Sequence, residues 1–196
     1  MAQQARPKDI RIICGLGNPG PEYARTRHNA GFATVDALAE RLGARYWKSE
    51  AGCMVARCSM RAPEGTREVL LAKPQDYMNT SGGPLSKLLR QEKASAQEVL
   101  VVHDEVDLAA GTVNVKFGGG LNAHNGLRSI ANKLGTRDFA RLRFGVGRPP
   151  GKMQVADYVL RELKGSYLQE FELEAQDAAS LAELAVERGV QAAIDR

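Results

Sequence analysis

Residues Gly15–Gly31 read GLGNPGPEYARTRHNAG, a polar, glycine-containing stretch between two apolar-patterned segments. Upstream lies the short β-branched run Ile10-Arg11-Ile12-Ile13-Cys14, which predicts a buried strand. Downstream, Phe32, Val35, Leu38, Ala39 and Leu42 recur at helical spacing until Gly43 supplies a stop. The loop between them therefore sits at the carboxyl end of a strand and delivers His28 to the start of a helix. In open α/β sheets ligands bind at that edge. The spacing Gly15-x-Gly17-x-x-Gly20 also fits a dinucleotide fingerprint. That reading fails chemically: Pro19 and Pro21 remove N–H donors a pyrophosphate would need, and the helix starts some ten residues too late. Nor does an acid end a second strand at the right distance, because Asp36 falls inside the predicted helix.

With 196 residues and 43% apolar content, the chain can bury one sizeable core. The expected division is a disordered tail over 1–9 and a single domain over 10–196. No apolar run reaches membrane-spanning length, and the polar start MAQQARPKD is unlike a signal peptide. Cys14, Cys53 and Cys58 form no C-x-x-C pair, which suits reduced thiols and a cytoplasmic location, with Cys14 as core packing. The net charge of +4 is distributed unevenly. Between Thr112 and Lys152 the cations Lys116, Arg128, Lys133, Arg137, Arg141, Arg143, Arg148 and Lys152 face one acid, Asp138. The following segment is acidic, with Glu170, Glu172, Glu174, Asp177, Glu183 and Glu187 expected on a surface helix. Such a polarised field steers polyanions to one side.

Further along, Gly52–Met60 and Arg67–Ala72 predict a hairpin across Ala62-Pro-Glu-Gly65. Lys73–Gly83 is a polar loop leading into a helix with Leu85, Leu88 and Leu89. Val99–Val102, the most apolar strand, is a candidate for the sheet centre and ends in His103-Asp104-Glu105. Thr112–Phe117 and Ala140–Val146 are further strands, separated by a helix with Leu127 and Ile130 inward and Gly135 as its stop. The remainder is helical. This alternation predicts an α/β fold: a single-domain, mixed, twisted sheet with helices on both faces.

Three strand-end loops carry similar groups: Asn18 with His28, Tyr77-Met78-Asn79, and His124-Asn125, with Asp104 on the apolar strand. A carboxamide offers two donors and an acceptor at every pH, which suits peptide groups or a developing oxyanion. Asn29 and Asn132 have the simpler explanation of cap or turn residues. His28 is the best base, since the dipole at a helix N-terminus disfavours imidazolium and keeps the ring neutral. Asp104 is positioned to fix its tautomer and stabilise the cation formed during proton transfer. His103, one residue earlier on the strand, is expected to face away. Ser81 lacks a nucleophile elbow, and the histidines and acids show no zinc spacing, so neither a serine nucleophile nor a metal is expected.

The same segments resemble a known family, the bacterial-type peptidyl-tRNA hydrolases. The matching pieces are GLGNPGPEYARTRHNAGF (15–32), KPQDYMNTSG (73–82), VVHDEVDLAAG (101–111), GGG with HNGLRS (118–129) and RLRFGVGRP (141–149). The resemblance implies a monomeric, cofactor-free α/β enzyme of the cytoplasm that hydrolyses the ester joining a peptide to the terminal ribose of tRNA, recycling tRNA from aborted translation. It implies His28 as general base, Asp104 as its stabiliser, and Asn18 as the group distinguishing blocked from free aminoacyl ends. Asn79 would serve the oxyanion or the peptide. Tyr23, Tyr77, Met78, Asn79, His124 and Asn125 would bind the tRNA 3′ end and peptide, and Lys116 and Arg143 the acceptor-stem phosphates. A metal and a nucleotide cofactor are not implied.

One departure stands out. The family usually places two glycines before His-Asn-Gly, whereas this chain has Leu121-Asn122-Ala123. A Cβ at Ala123 restricts the backbone, and the Asn122 side chain enters space that glycine would leave open. Loop opening and the fit of the peptide end are the properties at stake. An inactive RNA-binding module on the same fold is the competing expectation; the presence of His28, Asp104, Asn18, Asn79 and Asn125 speaks for the enzyme.

Overall fold

The computed structural model describes residues 4–196. The first three residues of the expected 1–9 tail lie outside the described residues. Lys8 N donates to Gln97 O at 3.1 Å, and Asp9 lies 3.3 Å from Arg67.

Seven strands form one sheet: β1 Ile12–Gly15, β2 Lys48–Glu50, β3 Cys53–Ala62, β4 Gly65–Pro74, β5 Val99–Glu105, β6 Val113–Phe117 and β7 Ala140–Gly145. Their order is β2-β3-β4-β1-β5-β7-β6. The interior run β4-β1-β5-β7 is parallel, and β2, β3 and β6 pair antiparallel at the two sides. The mixed sheet agrees with expectation. β1 holds the centre, with the uniformly buried β5 beside it. The edge strand β2 was not foreseen, because Lys48-Ser-Glu50 carries no apolar pattern.

Helices α1 Ala30–Arg41, α2 Gly82–Glu92, α3 Asn125–Leu134, α4 Val155–Val159, α5 Gly165–Glu187 and α6 Val190–Ile194 complete the chain. Alternate residues of β1 and β5 enter two separate cores. Ile13, Leu100 and Val102 pack with Val35, Leu38, Ala178 and Ala182 on the α1 and α5 face. Ile12, Cys14, Val99 and Val101 pack with Leu85, Leu88, Leu127 and Ile130 on the α2 and α3 face. Apolar side chains on both faces are what a parallel, helix-covered strand requires. Cys14 is fully buried in the second core, where burial and then the neighbouring Cys53 push its thiol well above its usual pKa. It is packing, as expected.

The two glycines bracketing the opening stretch have a packing reason. A Cβ on Gly31 would collide with Leu16 N and Val102 O, and one on Gly15 with Gly31 O. The first turn of α1 therefore presses backbone to backbone on the ends of β1 and β5. Only glycine permits that approach.

The acidic helix needs one correction. α5 is solvated along its charged side, but Glu174 is 7% exposed and its Oε1 accepts the Gly111 N–H at 2.8 Å. Burial raises its carboxyl pKa to about 7, with Gly111 opposing and Asp177 adding to the rise. Charge counting along the sequence cannot separate this carboxyl from its solvated neighbours.

Candidate active site

Because β1, β4 and β5 are parallel, their carboxyl ends open on one side, and the loops after β1 and β4 and the end of β5 meet there. His28 lies in a short 3₁₀ turn, Arg27–Asn29, ahead of α1 rather than on the α-helix itself. Its Nδ1 is 2.9 Å from Asp104 Oδ2. The other carboxylate oxygen, Oδ1, is 2.8 Å from His124 Nε2. His124 is the N-cap of α3, and its Nδ1 accepts the backbone N–H groups of Gly126 and Leu127. Its proton must then sit on Nε2 and point at Asp104. His28 likewise donates from Nδ1, so its Nε2 carries the free lone pair.

Sequence reasoning anticipated the first of these contacts and missed the second, having placed His124 only among substrate-binding residues. The signal for it is an N-cap position at which a histidine replaces the usual Ser, Thr, Asp or Asn. One carboxylate thus holds two imidazoles, whose rings are 5.3 Å apart. Asp104 is 3% exposed. Burial alone would raise its pKa, but His28 and His124 together hold it well below the usual carboxylate range.

The helix dipole expected to act on His28 is outweighed in this geometry. Burial lowers its pKa, yet the Asp104 charge and hydrogen bond outweigh burial, and the net shift is upward from the usual 6.5. An anion in hydrogen-bond contact overrides the dipole of the helix that follows. His103 starts from the opposite face, as expected, but does not leave the cluster. Its Nδ1 donates to Asp104 O at 2.7 Å, and its ring meets His124 edge-on at 5.1 Å. Burial, then His124, lowers its pKa to about 3.

Asn18 is 7% exposed and bridges two of the loops, its Oδ1 accepting the Met78 N–H at 2.6 Å. Its own backbone is gripped on both sides by Asn29: Asn29 Oδ1 accepts the Asn18 N–H at 2.9 Å, and Asn29 Nδ2 donates to Asn18 O at 3.0 Å. Asn29, expected to be a simple cap, makes no side-chain cap bond and instead fixes the loop. Met78 is 4% exposed among the α2 and α3 core residues, so its part in the site runs through its backbone. Tyr77 is 60% exposed and meets Tyr23 edge-on at 6.3 Å. Asn79 and Asn125 are both exposed, and Asn125 lines the cavity over the cluster.

A cavity of about 390 Å³ opens over this cluster, lined by His28, Asp104, His124 and Asn125 on one wall and by Val155 and Val159 of α4 and the following Leu160 on another. A larger hollow of about 470 Å³, bounded by Tyr158, Phe171 and Glu174, contains no imidazole. His28, Asp104 and His124 offer ligand atoms within 4.8 Å of one another. The two ring nitrogens facing Asp104 both carry the protons it accepts, however, so a cation would have to displace them.

On β6 and β7, Lys116 lies opposite Arg141 and Asn114 opposite Arg143, which puts all four on one face. Arg141 is fully buried and donates to the carbonyls of Gly119, Gly120 and Arg137, so it fastens the loop base rather than meeting solvent. Lys116 and Arg143 are half-buried and remain on the surface. Desolvation, then Arg143 and Arg141, lowers the Lys116 pKa. Among the described residues no helix is long and apolar enough to cross a membrane.

Comparison with known proteins bears on what this cluster is. Residues 12–196 match the family model described as Peptidyl-tRNA hydrolase. The chain is 44% identical over 191 residues to a peptidyl-tRNA hydrolase of Rhodococcus erythropolis, covering 96% of this chain and 97% of that one. It is 45% identical over 185 residues to one of Streptomyces avermitilis, covering 93% and 90%. The crystal structure of peptidyl-tRNA hydrolase from Acinetobacter baumannii superposes with a TM-score of 0.86 at 35% identity, covering 97% of this chain and 95% of that one. The model match spans every strand and every loop that builds the cavity, and the chain belongs to the peptidyl-tRNA hydrolase family.

Proposed function

We propose that this chain hydrolyses the ester of peptidyl-tRNA, releasing free tRNA and peptide, with His28 as general base. The observation that carries the reading is the His28 Nδ1 to Asp104 Oδ2 contact of 2.9 Å, which leaves Nε2 free beside a cavity. A water held at Nε2 gives up a proton as its oxygen attacks the ester carbonyl. The imidazolium formed is stabilised by the Asp104 charge at Nδ1 and then returns the Nε2 proton to the departing ribose oxygen. Every group the step needs is on one chain, and none of the steps uses a cofactor. General-base assistance of this kind is worth about 10² to 10⁴ in rate.

The oxyanion needs donors at the rim. Asn79 or a backbone N–H of the Met78 turn serves there, and one such donor is worth about 3 kcal/mol. Asn18, with its Oδ1 committed to Met78, turns its amide donors toward the peptide carbonyl that a blocked aminoacyl end has and a free one lacks. Tyr23, Tyr77, His124 and Asn125 border the tRNA 3′ end, and Lys116 and Arg143 meet acceptor-stem phosphates, contacts that give affinity without reading sequence.

The test is incubation with an N-acetylated aminoacyl-tRNA, with and without chelator, and with the free aminoacyl form as control. Release of tRNA from the blocked form alone, unaffected by chelator, is expected. Absence of release, with tight binding, would instead make the chain an RNA-binding module.

A further inference from the structure

Asn122 and Ala123 both have positive φ, +47° and +59°, a region that residues with a Cβ seldom occupy. Two such residues in succession persist only where contacts hold them. Leu121 O accepts the His124 N–H at 2.9 Å and closes the turn. The second hold is a side chain: Asn122 Nδ2 donates to Glu105 Oε1 at 2.7 Å. The same Oε1 accepts Arg143 Nε at 3.1 Å. Glu105 is 4% exposed and follows Asp104 on β5, so one buried oxygen joins the cavity loop to the basic face of β7.

We propose that Asn122 is a positioning residue for Arg143: by fixing the Glu105 carboxylate it aims Oε1 at Arg143 Nε and leaves the far side of the guanidinium turned outward for a phosphate. A glycine at this position would have no donor to do this. The amide donor holds the Glu105 acceptor in place, and the backbone strain at 122 and 123 is offset by that bond. Sharing one oxygen rather than taking both means Arg143 is oriented without being sequestered. The inference rests on the reading of Arg143 as a phosphate contact.

The experiment uses Asn122→Asp, which keeps the shape and the tolerance for positive φ but cannot donate, and Asn122→Gly, which relaxes the backbone. Each is compared with Arg143→Ala and with the double variants, using hydrolysis of an N-acetylated aminoacyl-tRNA and binding of an uncharged acceptor-stem hairpin. Both single variants should raise KM and weaken hairpin binding by about three- to tenfold, with the effect concentrated in KM rather than kcat. In the Arg143→Ala background neither should cost anything more, because residues acting through one contact are not additive. A loss in kcat instead of KM, an equal further loss without Arg143, or no loss in either single variant would overturn the proposal. If Arg143→Ala itself binds the hairpin as the parent does, the reading of Arg143 fails first, and that outcome is separately visible.

Discussion

Asp104 Oδ2 lies 2.9 Å from His28 Nδ1 while its Oδ1 lies 2.8 Å from His124 Nε2. A carboxylate held from both sides cannot rotate, so the His28 ring is fixed in one orientation with its free nitrogen toward the cavity. Preorganisation of this kind lets one weak base act at neutral pH.

The pH dependence follows from the upward shift of His28. Only the neutral ring takes a proton, so kcat/KM should rise with pH through the His28 pKa, at a value above 6.5. Asp104→Asn removes the charge that raises this pKa. Its acid limb should move to lower pH and its plateau should fall, with the melting curve checking that the fold is intact. An acid limb that stays in place would detach Asp104 from His28. The linkage for stability has the opposite sign: the charged pair adds stability below the unfolded His pKa and loses it as pH rises through the folded one.

Asn29→Ala should cost stability and activity together. It leaves the N–H and C=O of the buried Asn18 without partners, a loss of at least about 2 kcal/mol. For a chain of this length each kcal/mol lowers Tm by about 2–4 °C. A thermal melt unchanged by the substitution would contradict the assigned role.

Much of this was legible from residues alone, and the limits have physical causes. The Gly15–Gly31 stretch located a strand, a loop and a helix because its periodicity changes where the backbone changes. Strand and helix alternation predicted a mixed sheet but not which strands flank β1; the parallel pairing of β1 with β4 and β5 is what gathers the loops. The second partner of Asp104 was not legible, since His124 comes to Asp104 from a loop that folds over the strand end. Asn29 was hidden for a similar reason: a cap and a loop clamp look alike in sequence. The direction of the His28 pKa shift was misjudged because a dipole can be read from a helix start, whereas contact with a carboxylate requires the distance.

Lys116→Ala should weaken binding of tRNA while leaving kcat close to the parent value. If Lys116 meets one phosphate, the slope of log affinity against log salt should fall by about 1. An unaltered slope would remove Lys116 from the contact surface.

Glu174 makes the fold itself pH-sensitive. Its folded pKa, raised to about 7 by burial, exceeds the unfolded value of about 4.3. The folded state thus holds the proton more tightly, and stability falls as pH rises between those values. Glu174→Gln imitates the protonated form and can still accept from Gly111. It should raise the urea midpoint at pH 8 and leave it unchanged at pH 4; the same midpoint change at both pH values would show that the carboxyl does not titrate in that window.

The central claim is that His28 removes the proton from the attacking water. Single-turnover hydrolysis of an N-acetylated aminoacyl-tRNA by His28→Ala tests it most directly. The expected rate is lower by about 10² to 10⁴, with affinity for uncharged tRNA retained. Hydrolysis within a few-fold of the parent rate would place the base elsewhere.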